Sequence, residues 1–182
     1  MNARFAVYLL LPLTLVMAIS GCNKQPETVT PHELTAGDSC SLDGMSLLDF
    51  PGPKAQIHYA SGEPDLFCDT TEMFSIYLQP EQQKRITGIF TQDMAKTSWE
   101  EPRNNWVDAR QMFFVLGSKR HGAMGPTLAS FAQQKDADAF AQQFGGKVIA
   151  LMKSPWTWWI YQVAWYTTSR CETHPATTGH II

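Results

Sequence analysis

The segment Asp38-Ser-Cys40-Ser-Leu-Asp43-Gly44-Met45 puts a thiol, a carboxylate and a thioether within a short stretch, around a glycine that permits a tight turn. Thiolate and thioether are soft donors, and together they select Cu(I) over hard cations. A zinc site would call for four Cys or His ligands in recognised spacings, which this chain lacks. A low-coordinate Cu(I) site needs only Cys40, Met45 and one more donor. Met124, beside Gly125, is one candidate; His121, Cys68 and His58 are others. A second reading stands beside this one. Cys40 and Cys68 could form a structural disulfide, because exported proteins meet oxidising conditions.

The same pair leaves an enzyme reading open, in which Cys40 and Cys68 process thiols or organometals and Asp43 donates a proton. Nothing else points to catalysis. No Ser/His/Asp order, phosphate-binding glycine loop or HExxH pattern occurs. His58 alternates away from Ile57 and Tyr59 on a strand pattern and reads as a surface histidine. His121 follows Lys119-Arg120 in a turn and reads as solvated. His32, His174 and His180 fall in polar stretches and carry no role.

The elements that must position these donors follow from the rest of the chain. It has 182 residues, 44% hydrophobic and 17% charged, which suits a globular domain and excludes a disordered one. A net charge of −3 argues against nucleic-acid binding. Arg4 and the apolar run from Phe5 to Ala18 read as a signal peptide, too short to span a bilayer. The run ends in Ile19-Ser-Gly-Cys22, a bacterial lipobox, which makes Cys22 the expected lipid-attachment site. Several acyl chains would anchor it permanently, at about 0.8 kcal/mol per buried CH₂. Only Arg4 lies before Cys22, so the remaining chain is more acidic still, and anionic lipid does not attract it. Asn23 rather than Asp follows the cysteine, as in lipoproteins sorted to the outer membrane.

The chain therefore divides into a signal peptide (1–21), a tether (22–37), a first half with the Cys/Met segment (38–98), a connector (99–109), a second half (110–152) and an aromatic-rich tail (153–182). Each half reads as strand, turn, helix, strand. Ile57 and Tyr59 alternate at the strand period, as do Met112, Phe114 and Leu116. Asp69 with Glu72 resembles a capping box ahead of Met73, Phe74, Tyr77 and Leu78. Ala137, Phe140, Ala141 and Phe144 form a second helical stripe, closed by Gly145-Gly146. Cys68 and Met124 then occupy matching places just before the two helices. A helix start favours thiolate at Cys68. The fold class expected is α+β, two similar ββαβ-type halves in tandem. The tail crowds Trp156, Trp158, Trp159, Trp165 and Tyr166 together; an interfacial segment, an extra strand and a change of reading frame all fit it.

The ordered set of motifs resembles the NosL copper-binding lipoproteins, accessory proteins of nitrous-oxide reductase maturation. The set comprises Cys22, Cys40 to Met45, Pro51-Gly-Pro-Lys-Ala-Gln-Ile57, Phe67-Cys-Asp69, Trp106-Val-Asp-Ala-Arg110, Gly117-Ser118, Met124-Gly125 and Asp136 through Gly146. The resemblance covers Cys22 to Leu151 and departs from the family beyond it. It implies a metallochaperone, not an enzyme, that binds Cu(I) through Cys40, Met45 and Met124. It further implies delivery of copper toward the reductase through the periplasmic component of an ABC-type transporter complex. The implied location is the periplasmic face of a membrane, held by the lipid on Cys22.

Overall fold

The computed structural model describes residues 28–79, 81 and 85–151. The signal peptide, Cys22 and all of the aromatic tail lie outside the described residues. Among those described, no helix is long and apolar enough to cross a membrane.

The first half builds β1 (Ala55–Tyr59), β2 (Asp65–Phe67), α1 (Thr70–Tyr77) and β3 (Ile86–Gln92). All pairings are antiparallel, and a further strand, β4 (Trp106–Asp108), completes the order β2-β1-β3-β4. β4 comes from the segment expected to be a connector; it pairs Val107 with Thr91 and Trp106 with Gln92. The second half comprises β5 (Phe113–Leu116), β6 (His121–Gly122), β7 (Gly125–Pro126), β8 (Ala129–Phe131), α2 (Gln134–Phe144) and β9 (Lys147–Ala150). Its sheet runs β8-β5-β9, and β6 and β7 form a separate hairpin. Leaving that hairpin aside, both halves are ββαβ units, and the α+β class expected from the sequence is the one observed.

A local cap explains one helix and packing the other. Asp69 takes the N-cap of α1, and its Oδ1 accepts from the Thr71 backbone N–H at 2.8 Å. That satisfies one of the orphan donors of the first turn. α2 has no side-chain cap at Gln133, and its stability comes from packing: Ala137 is buried and Phe140 and Ala141 lie against the core. Trp99 stacks on Phe140 with ring centroids 5.3 Å apart.

The halves share one core. Ile57, Phe67, Met73, Phe74 and Ile89 of the first half pack with Met112, Phe114 and Leu128 of the second. Phe74 meets Phe114 edge-on at 5.2 Å between centroids. Strand β5 departs from simple alternation here. Phe114 faces this shared core, while Val115 is equally buried against the α2 cluster. A strand covered on both faces loses its polar side and reads as a run of apolar residues. The strand also starts at Phe113, because Ala109–Gln111 forms a single 3-10 turn capped by Asp108.

The helix-start equivalence of Cys68 and Met124 does not hold. Cys68 directly precedes the N-cap Asp69. Met124 sits in the β6–β7 turn, with β8 still to come before the N-cap Gln133 of α2. Among the described residues, the connection between the first two sheet strands forms a hairpin in the second half and not in the first, and Met124 sits on that hairpin.

Candidate metal centre

The loop from Cys40 to Met45 closes on itself. The Cys40 N–H donates to Met45 O at 2.8 Å, and the Gly44 N–H donates to Cys40 O at 2.9 Å. Gly44 has φ +76°, a left-handed conformation that L side chains rarely adopt, with nothing near the position of a Cβ. Backbone conformation alone therefore calls for glycine there. Asp43 Oδ1 accepts from the Met45 N–H at 3.0 Å. The loop is tied to β2 by Ser41, whose N–H donates to Leu66 O and whose Oγ accepts from the Leu66 N–H. Those bonds bring Cys40 alongside the end of β2, where Cys68 lies.

The two thiols are buried, Cys40 at 3% exposure and Cys68 at 0%, and neither is in a disulfide. Both donate to the same oxygen. Cys40 Sγ lies 3.4 Å and Cys68 Sγ 3.2 Å from Glu72 Oε2. Asp43 completes a group of four whose donor atoms all fall within 4.8 Å of one another. Leu47 and Leu66 pack around the cysteines, with Met45 and Ala123 against the same cluster. Ala123 belongs to the β6–β7 hairpin, so the second half reaches this site through the hairpin tip. Its neighbour Met124 is 52% exposed.

The electrostatics oppose early thiolate formation. Burial pushes the Cys40 thiol up, backbone N–H groups partly offset this, and the Glu72 charge adds to the rise. Cys68 is pushed further, by burial first, then by its bond to Glu72 and the nearby negative groups. The helix start was expected to favour thiolate at Cys68; desolvation and a carboxylate at hydrogen-bond distance outweigh it. Lys54 is fully buried behind the site. Its Nζ donates to Pro51 O at 3.1 Å and Cys68 O at 3.2 Å. Burial lowers its pKa to about 8, against the opposing pull of Cys68, Asp69, Glu72 and Cys40.

The described histidines, His32, His58 and His121, stand apart from this group. His58 Nε2 lies 2.6 Å from Gln56 Oε1, and its ring meets Phe90 edge-on. His32 pairs with Asp38 at 3.0 Å. His121 is exposed on β6. Sequence reasoning missed Glu72 as a partner of the thiols and Lys54 as a buried cation. Cys68 and Glu72 are four residues apart at a helix start, a spacing that puts them on one face. For Lys54 the sequence held no signal, since a lysine after Pro-Gly-Pro reads as surface.

The NosL family model matches residues 31–158, most of the chain. The chain belongs to the NosL family. A curated relative from Stutzerimonas stutzeri, "Copper-binding lipoprotein NosL", is 37% identical over 155 residues, 82% of this chain and 81% of the relative. Another of the same description, from Achromobacter cycloclastes, is 38% identical over 131 residues, 69% of this chain and 65% of the relative. Among solved structures, the crystal structure of the copper chaperone NosL from Shewanella denitrificans is similar with a TM-score of 0.63 and 35% identity. That match covers 69% of this chain and 94% of the other. The NosL fold thus accounts for the two halves, and the thiol cluster lies inside the matched region.

Proposed function

We propose that this chain is a copper-binding lipoprotein and metallochaperone that carries Cu(I) as cargo toward nitrous-oxide reductase maturation. The observation that carries the reading is the buried pair of free thiols at Cys40 and Cys68, with Met45 packed against the cluster that holds them. Soft sulfur donors in a largely dry setting favour a monovalent soft ion. Cys40, Met45 and Met124 form the ligand set we assign, and Cys68 stands close enough to join it. Family membership supports copper as the metal, and the relatives' shared description supports the lipid on Cys22.

The transfer chemistry follows from this placement. Copper entering displaces thiol protons to solvent, and Glu72 Oε2, already bonded to both thiols, can take one of them on the way. Met124 is exposed and follows Ala123, which packs against the thiol cluster; in this reading an incoming donor from a partner replaces it while the cysteine still holds the ion. Exchange then proceeds without free copper. The accepting partner in this reading is the periplasmic component of an ABC-type transporter complex, or the reductase itself.

The test is an anaerobic Cu(I) titration of the reduced, detergent-solubilised chain against a competing chelator. Stoichiometric binding that is lost in Cys40→Ser is the expected result. Wild-type affinity in Cys40→Ser would sink the assignment. A Cys40–Cys68 disulfide in protein isolated without reductant, with no copper uptake after reduction, would leave a structural lipoprotein instead.

A further inference from the structure

The β6–β7 hairpin pairs only His121 with Pro126 and Gly122 with Gly125, and Ala123-Met124 make its tip. A two-stranded ribbon this short does not hold itself in place. Its position must come from contacts outside it; Ala123 packs against the thiol cluster, and three further contacts hold the hairpin's stem. Trp99 Nε1 donates to His121 O at 3.0 Å. Gly52 backs directly onto Gly122, so closely that a Cβ at position 52 would stand 2.6 Å from the Gly122 Cα. The third contact is Asp69. Thr127, just after β7, donates its Oγ1 to Asp69 Oδ1 at 2.8 Å. The other carboxylate oxygen, Oδ2, lies over Gly122, where a Cβ would stand 2.6 Å from it.

Asp69 does more than a helix cap requires. Capping uses Oδ1 alone, and Ser, Thr or Asn would cap as well. Oδ2 is buried with no hydrogen-bond partner. A fold that leaves a buried carboxylate oxygen unbonded gives up stability to keep it there. Asp69 also follows Cys68 directly in the chain. One side chain therefore touches both the element that carries a thiol and the element that carries Met124.

We propose that Asp69, Thr127 and Gly122 form a latch that sets the Met124 hairpin over the thiols, which makes Asp69 a positioning residue for copper binding. This rests on the reading of Met124 as a donor. The latch acts on the second half's contribution to the site; the cap on α1, whose first turn carries Glu72, is a separate role of the same side chain.

The experiment is a coupling measurement on the detergent-solubilised chain. Cu(I) affinity by chelator competition and thermal unfolding are recorded for Asp69→Ala, Thr127→Val, Met124→Leu and each latch variant combined with Met124→Leu. The latch variants should weaken Cu(I) binding by about tenfold to a hundredfold, the range of residues that orient ligands. That loss should vanish in the Met124→Leu background, while the loss of thermal stability should be the same in both backgrounds. Asp69→Asn keeps an acceptor for Thr127 and should restore most of the affinity. Thr127→Val removes the hydroxyl that meets Asp69 and Thr70 while leaving the helix cap in place, and covers the case in which Asp69→Ala fails to fold. Equal weakening in both backgrounds would show that Asp69 acts through the fold or the thiols, and would overturn the latch. Wild-type affinity in Met124→Leu alone is a different failure: it would remove Met124 from the ligand set and the latch's purpose with it.

Discussion

The two halves have the same ββαβ topology and use it for opposite ends. In the first, the turn before α1 carries Cys68 and Asp69, and the first helical turn carries Glu72. In the second, the equivalent turn is Ala132-Gln133, and no side chain caps the helix. That helix is packed by rings instead. Trp99 stacks on Phe140, Phe140 lies 4.8 Å from Phe144, and the Arg120 guanidinium sits over both Trp99 and Phe144. The reactive half gives up clean packing for buried thiols, a buried lysine and an orphan carboxylate oxygen. The other half supplies stiffness and one extra hairpin. A repeat of this kind lets one copy keep the fold while the other takes on groups that burial makes costly.

The strongest way to break that contrast is to remove chemistry from the first half alone. Cys40→Ser combined with Cys68→Ser should bring Cu(I) uptake to background in the chelator competition, while circular dichroism stays that of wild type. A comparable loss of copper from Phe140→Ala, with its circular dichroism unchanged, would show that the ring packing of the second half, and not only its Met124, serves the site.

Next in size is the shared core. Phe114→Ala should cost about 3–5 kcal/mol in denaturant unfolding, as large-to-small core changes do. The loss should appear in a single transition; two separate transitions would mean that the halves are independent.

The electrostatic contrast is sharpened by Glu72→Gln. The Glu72 charge helps raise both thiols, so its removal should move thiolate formation in the metal-free chain to lower pH, read by ultraviolet absorbance. The sign for copper follows. Bound thiols must be deprotonated and both thiols titrate above their ordinary range, so Cu(I) affinity should rise as pH rises and fall toward acid. A flat pH profile would remove the thiols from the site.

The smallest expected effect is Gly44→Ala. It should cost about 1–2 kcal/mol of stability through its left-handed backbone and weaken copper binding only as far as the Cys40 loop shifts.

The sequence made some of this legible and hid the rest for physical reasons. Asp69 as a cap and the stripe through Ala137 and Phe140 were readable because helix ends and helix periodicity are local. The Cys40-to-Met45 loop was readable because its glycine and its soft donors are neighbours. β4 was missed because Trp106 to Asp108 is short and half-buried, and only its pairing with β3 makes it a strand. The convergence of both thiols on Glu72 depends on the bonds between Ser41 and Leu66, which no local pattern encodes. The helix-start argument for a reactive Cys68 failed because it weighed a dipole without the desolvation that accompanies full burial. Lys54 was unreadable because only its two carbonyl partners permit a lysine inside.

The shared core has a consequence in time. Phe74 must wait for Phe114, and Thr70, which donates to Leu128 O at 2.8 Å, must wait for a residue made much later. Contacts so distant along the chain form slowly. During synthesis the cysteines emerge well before Ala123, the part of the second half packed against their cluster. The young chain therefore passes through an interval in which the thiol cluster lacks the cover that the second half supplies.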